Sequence, residues 1–303
     1  MALTVFYPDT PDLPLPDGHR FPAQKYRLLR DALLARGTIR PDELDASPEA
    51  TTRELLSVHT AEYVASIADG TVSEQIQKSI GLPWSPVLAR RSRMTVGGTL
   101  AAARHALSSP AGWSGQLAGG THHAYSGHGA GFCTFNDVAV TSAVLLAEDA
   151  VDRVAILDCD VHQGDGTAAL LAPRADVFTV SIHGANNYPF EKQRSDLDIA
   201  LDDGAGDKAY EHALVDALEA VAAFQPDLML YISGADILAE DGLGRLALTH
   251  EGLAARDALV FQFARRRGLP VAIAIGGGYA RPIDATVEGY VQTFRTAVDV
   301  LGR

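Results

Sequence analysis

Short apolar runs closed by polar or glycine-rich punctuation recur through the second half of the chain, at Arg153–Asp158, Val177–His183, Asp227–Ser233 and Val271–Ile275. Runs of this length, rich in β-branched residues and apolar on both faces, predict buried parallel strands. Between them the amphipathic segments Tyr210–Phe224 and His250–Arg267 predict helices, the second opened by Thr249 as N-cap and stopped by Gly268. Strands alternating with helices imply βαβ units and a parallel sheet. The first half reads as more helical. Pro22–Arg36 closes at Gly37, Ser47-Pro48 opens a helix over Glu49–Ser57, Thr60 opens Ala61–Ala68, and Pro83–Leu107 holds a helical region around Gly97-Gly98. Met1–Phe6 reads as the first strand. Ala118–Asn136, dense in Gly and His, and the polar stretch Gly184–Gly206 read as long loops, which in compact domains are commonly functional. The fold class is therefore α/β, a parallel sheet flanked by helices. One domain over residues 1–303 is expected, since no repeat or low-complexity break divides the chain.

Composition narrows the classes. With 47% hydrophobic residues the 303-residue chain can build one large core, yet no apolar run approaches the length of a membrane span. No basic-then-apolar leader opens the chain, so neither a signal peptide nor a membrane partner is expected. The two cysteines, Cys133 and Cys159, make no disulfide framework, and a cytoplasmic location fits. A formal charge of −13 argues against a general nucleic-acid binder; an acidic surface can favour cationic substrates, but ordinary solubility of a cytosolic protein accounts for it first.

The chemistry concentrates where strands end. After Arg153–Leu157 comes Asp158-Cys159-Asp160-Val161-His162-Gln163-Gly164-Asp165-Gly166. Residues two apart on a strand face the same side, so Asp158, Asp160 and His162 point at one site. Buried carboxylates need an opposite charge, and a divalent metal is the natural one. Gly119-Gly120-Thr121-His122-His123 follows another probable strand, Ser233-Gly234-Ala235-Asp236 follows a third, and Gly276-Gly277-Gly278-Tyr279 a fourth. The carboxyl edge of a parallel sheet is where open α/β folds place ligands. Asp160, His162 and Asp236 suit a catalytic zinc site, and Fe²⁺ accepts the same donors. His122 and His123 are candidate bases, Asp158 and Asp165 candidate orienting carboxylates, and Tyr279 an oxyanion donor. Together these describe hydrolysis of an amide or ester.

These segments, joined by Gly131-Phe132-Cys133, Asn136-Asp137 and Ser181-Ile182-His183, resemble the histone deacetylase family of the arginase/deacetylase fold, in family order. His19-Arg20-Phe21-Pro22, Lys25-Tyr26-Arg27, Pro83-Trp84-Ser85-Pro86 and Tyr188-Pro189 resemble class IV and related bacterial members. The resemblance implies a Zn²⁺-dependent amidohydrolase that removes acetyl or other acyl groups from N-acylated amines, foremost acetyl-lysine of proteins or peptides. It implies Asp160, His162 and Asp236 as zinc ligands, and His123 with Asp165 as general base and acid. His122 backed by Asp158 would be the electrostatic partner, and Tyr279 the group polarising the carbonyl. Phe132 and Tyr188 would be the tunnel walls, with Phe190 as the lesser candidate for the second; Gly131 would lie along the tunnel and Leu243 at its mouth. A structural K⁺ beside the zinc is implied at Asp158, Asp160, His162, Ser181 and Ile182. The family's rim aspartate has no counterpart placed in Ala68–Pro83, which keeps acetylpolyamines and other small acetylated amines open as substrates.

Other polar residues read as structural. His59 reads as part of a helix start, His128 as exposed, His183 as structural and Cys133 as a packing residue, while Arg90-Arg91-Ser92-Arg93 and Lys25-Tyr26-Arg27 read as solvated helix faces. Two competing readings are a dinuclear manganese ureohydrolase on the same fold and a non-catalytic acyl-lysine binding protein. The first would need further aspartates, and the second does not account for the filled catalytic positions.

Overall fold

The computed structural model describes residues 3–303. Its strands are β1 (Val5–Tyr7), β2 (Leu44–Ala46), β3 (Trp113–Gln116), β4 (Val154–Asp158), β5 (Val177–Gly184), β6 (Leu197–Leu201), β7 (Leu228–Ile232) and β8 (Val271–Ala274). All pair in parallel, in the order β2-β1-β3-β8-β7-β4-β5-β6. The helices are α1 (Lys25–Ala35), α2 (Thr52–Leu55), α3 (Ala61–Asp69), α4 (Glu74–Ile80), α5 (Pro86–Ser108), α6 (Asp137–Ala147), α7 (Asp165–Leu171), α8 (Asp207–Phe224), α9 (His250–Arg267) and α10 (Asp284–Leu301). Right-handed crossovers place α5, α6 and α7 on one face and α1, α8, α9 and α10 on the other. The packing pairs agree: α5 with α6 and α6 with α7, against α1 with α10, α10 with α9 and α9 with α8. Strands β4, β7 and β8 are buried along their whole length, which explains their unbroken apolar sequences.

Local chemistry sets the ends of these elements. Thr249 Oγ1 accepts from Gly252 N–H to open α9, and Gly268 closes it in the left-handed region at φ 60°. Gly97 and Gly98 let α5 lie close to its neighbours. A Cβ on Gly97 would stand 2.2 Å from the Pro48 carbonyl, and one on Gly98 would stand 2.4 Å from Gln116 Oε1.

Some expectations need correction. The segment Glu49–Ser57 is helical only over Thr52–Leu55, because the capping box of Thr51 and Glu54 starts the turn later than Ser47-Pro48 would. The first strand is Val5–Tyr7 rather than Met1–Phe6, and Met1 and Ala2 lie outside the described residues. The stretch Gly184–Gly206 is not all loop, since Leu197–Leu201 adds an edge strand whose exposure alternates along its length. α8 begins at Asp207, ahead of the expected start at Tyr210, with an acidic residue at the positive end of the helix. No helix among the described residues is long and apolar enough to cross a membrane.

Candidate active site

The carboxyl ends of β3, β8, β7 and β4, four neighbours in the sheet, carry the four motifs. After β3 the chain turns through Gly119 (φ 98°) and Gly120 (φ 63°) and delivers His122 and His123. The turn is tied down by Asp137, buried at the start of α6. Its Oδ1 accepts from Thr121 N–H at 2.8 Å and Thr121 Oγ1 at 2.7 Å; its Oδ2 accepts from Gly120 N–H at 3.1 Å and Thr99 Oγ1 at 2.6 Å.

Each histidine has its own carboxylate. His122 Nδ1 lies 2.6 Å from Asp158 Oδ2, and His123 Nδ1 lies 2.5 Å from Asp165 Oδ1, whose Oδ2 accepts from Tyr125 O–H. The rings stand 4.1 Å apart between centroids. Their protonation diverges. Burial opposes a charge on His122, but the carboxylates of Asp158 and Asp160 outweigh it and lift its pKa to about 9. Burial, then the positive charge of His122, pulls His123 down to about 4. At neutral pH one imidazole is charged and its neighbour is not.

Asp160, His162 and Asp236 converge beside this pair. They are buried, and one ligand atom from each lies within 4.8 Å of the others. His162 Nδ1 faces both Asp160 Oδ1 (2.9 Å) and Asp236 Oδ2 (3.1 Å). Burial, then the nearby Asp160 carboxylate, pushes the Asp236 carboxyl up to about 7. The donor set of two carboxylates and one imidazole fits a divalent first-row cation. The surrounding backbone is shaped to this cluster. Gly277 N–H donates to Asp160 Oδ2 at 2.5 Å, and a Cβ on Gly277 would fall 1.8 Å from Asp236 Oδ2. Ser181 stands opposite Asp158 in the β4–β5 register, and both it and Ile182 are buried.

The cluster opens into a cavity of about 790 Å³ lined by His123, Gly131, Phe132, His162, Tyr188, Leu243 and Tyr279. Phe132 packs on Phe21 (centroids 5.2 Å) and lies 5.9 Å from the Tyr279 ring. Tyr188 stands edge-on to His123 at 4.9 Å. Gly131 takes φ 52°, and a Cβ there would meet His123 Cδ2 at 2.5 Å. Phe190 is 84% exposed and borders the outer mouth instead of forming a wall. Every residue assigned to the site by sequence is thus found at this one edge of the sheet.

The residues read as structural also find places. His59 is buried with Nδ1 on the Tyr125 carbonyl (3.0 Å) and Nε2 accepting from Asn136 N–H (3.0 Å). His128 is exposed and stacks on Tyr125. His183 is buried with Nδ1 on Ser181 Oγ, and Cys133 and Cys159 are buried free thiols.

Lys25 corrects the solvated-face reading. It is 2% exposed, its Nζ reaches the carbonyls of Gly276 (3.2 Å) and Gly278 (3.5 Å), and it lies 5.2 Å from the Tyr279 ring centroid. The signal was its spacing, because Lys25, Leu29 and Leu33 share the buried stripe of α1. Arg27 of the same triplet is exposed, as expected. Asp241 was also missed. Its Oδ1 accepts from Leu243 and Gly244 N–H (2.8 Å each) and its Oδ2 from Tyr279 N–H (2.6 Å), so one carboxylate ties the mouth loop to the tyrosine. In sequence, Leu243 of this loop is assigned to the tunnel mouth, but Asp241 belongs to no motif that marks it.

Comparison with known proteins agrees with this geometry. Residues 19–294 match the model of the histone deacetylase domain. An uncharacterized protein of Picosynechococcus is 42% identical over 298 residues, covering 98% of each chain. Histone deacetylase 2 of Arabidopsis thaliana is 30% identical over 294 residues, covering 91% of this chain and 76% of the relative. The crystal structure of a histone deacetylase homologue complexed with SAHA superposes with a TM-score of 0.83 at 23% identity, covering 100% of this chain and 85% of that one.

Proposed function

The chain belongs to the histone deacetylase family, and from that premise we propose that it is a metal-dependent deacylase whose substrate is an N-acylated amine, foremost acetyl-lysine in a peptide or protein. The observation that carries this reading is the pair of adjacent imidazoles held by separate carboxylates, Asp158 and Asp165, beside the buried Asp160–His162–Asp236 cluster. Those three residues would hold Zn²⁺, with Fe²⁺ suited to the same donors, and the metal would polarise the acyl carbonyl and lower the pKa of water to about 7. His123, neutral at pH 7, takes the proton of the attacking water through Nε2, since Nδ1 is engaged by Asp165. It then returns that proton to the departing amine. His122, held charged by Asp158, stabilises the negative charge that develops during attack. Tyr279 borders the same cavity, and its hydroxyl donates to the forming oxyanion. Phe132 and Tyr188 flank the methylene stem of the acylated side chain and exclude water from it. Asp158, Ser181 and Ile182 would hold a K⁺ ion, offsetting the excess of carboxylates.

The test is hydrolysis of a fluorogenic acetyl-lysine peptide by the purified protein, before and after chelation and with Zn²⁺ or Fe²⁺ restored. Turnover lost on chelation and regained with metal is expected. No turnover of any acylated amine at one bound metal per chain would overturn the reading.

A further inference from the structure

The mouth of the cavity departs in charge from the rest of the molecule. The chain carries a formal charge of −13, yet the residues lining the cavity include Arg20 and Arg245 and no aspartate or glutamate. Arg20 is exposed, and its guanidinium makes no hydrogen bond or ion pair among the described residues. The Arg245 guanidinium makes one ion pair, Nη1 3.1 Å from Oδ2 of Asp203, a residue outside the cavity lining, and its side chain is 54% exposed. The segment between α3 and α5 contributes only Ser79, Ile80 and Gly81 to the lining. A cationic tail leaving the tunnel would pass two guanidinium groups and meet no lining carboxylate.

We propose that Arg20 and Arg245 form an anion-recognising rim, so that this site selects acylated amines bearing a carboxylate just outside the tunnel. The inference rests on the deacylase reading above and names its substrate class. A guanidinium presents a planar fork of donors matched to a carboxylate, and at an open mouth it acts on both capture and orientation. The carboxylate has two sources. It is either the side chain of an acidic residue flanking the acyl-lysine, or the α-carboxylate of the acyl-lysine itself, carried beyond the tunnel by the four-carbon stem.

The experiment uses the metal-loaded full chain and matched acetyl-lysine peptides with acidic, neutral or basic flanks. Nε-acetyl-lysine with a free or an amidated α-carboxyl group and an N-acetylpolyamine complete the series. The reading is the ratio of kcat/KM between acidic and basic partners, in which any general change in activity cancels. A preference of about three- to tenfold for the acidic peptide at low salt is expected, from two exposed ion pairs, shrinking as salt rises. The ratio should fall in Arg20→Gln/Arg245→Gln and invert in Arg20→Glu/Arg245→Glu. Sensitivity to the flank alone assigns the carboxylate to a peptide side chain; sensitivity to the α-carboxyl group assigns it to the acyl amino acid. A ratio of one, a ratio unchanged in both double variants, or faster turnover of the acetylpolyamine would overturn the proposal. Should even the neutral peptide resist hydrolysis, the deacylase reading fails. Fluorescence anisotropy with the same labelled series would then decide the rim separately, equal binding across charges overturning it.

Discussion

Replacing Asp137 by asparagine tests how the paired histidines are placed. The swap preserves shape and removes one charge. In the native structure Oδ1 and Oδ2 each accept one backbone N–H, from Thr121 and Gly120, and one threonine hydroxyl, from Thr121 and Thr99. The threonine hydroxyls can rotate to accept from an amide, but the backbone N–H groups cannot. Whichever way the asparagine turns, its NH₂ faces one backbone N–H, buried at Gly120 or part-buried at Thr121, which is left unsatisfied at a cost of about 1–3 kcal/mol. The remaining bonds lose their charge assistance as well, so the total is about 3 kcal/mol. For a chain of this length that corresponds to roughly 5 °C in Tm. The assay is urea unfolding of both proteins together with deacetylation at saturating peptide. Because Gly120 and Thr121 lead directly into His122, kcat should fall along with stability. A variant within about 0.5 kcal/mol of the native protein, the ordinary range of surface substitutions, would refute the view that this carboxylate holds the histidine turn.

Three further outcomes are expected. Tyr279→Phe should lower kcat by about 10²–10³-fold while leaving metal content unchanged, as removal of one oxyanion donor does; comparable turnover would sink the role given to its hydroxyl. His59 has a folded pKa of about 4, lowered chiefly by burial, and its Nε2 must stay unprotonated to accept from Asn136. Its contribution is therefore complete above pH 6.5 and is lost as pH falls towards 4, amounting to roughly 3 kcal/mol. Urea midpoints between pH 7 and 4.5 should thus fall less steeply in His59→Gln than in the native protein, and parallel profiles would contradict this. Lys25→Met removes two carbonyl contacts but also relieves a buried ammonium, so stability should move by only about 1 kcal/mol. Turnover should drop about tenfold, equivalent to about 1.4 kcal/mol, as the Gly276–Tyr279 loop loosens; an unchanged kcat would show that the lysine only packs.

What the chain makes legible follows from physics that acts over short range. Buried central strands read clearly because both faces are apolar, so β4, β7 and β8 fall within a residue of their expected bounds. Acids and histidines directly after such strands read as a site because burying them otherwise is costly. Edge strand β6 was invisible, since it is short, no position in it is fully buried, and Asp198 and Ala200 face solvent. Lys25 and Asp241 escaped for a different reason. The spacing of Lys25 with Leu29 and Leu33 marks it as buried, but its partners and that of Asp241, the carbonyls of Gly276 and Gly278 and the N–H of Tyr279, are backbone groups brought near only by the finished fold, and side-chain patterns do not reveal them.

The position of β8 bears on how the molecule is made. It comes last in sequence among the described strands, yet it lies between β3 and β7 in the middle of the sheet. Until Val271–Ala274 leaves the ribosome, β2-β1-β3 and β7-β4-β5-β6 are separate blocks, each with an open inner edge. Asp160 and Asp236 by then await the Gly276–Gly277 backbone that closes around them. Pairings this distant in sequence form slowly, and unpaired edges invite association between nascent chains. A truncation before residue 271 would therefore yield an aggregating half-sheet in place of a weakened enzyme, and the Asp160–His162–Asp236 cluster is enclosed only once Gly276–Gly277 has joined it.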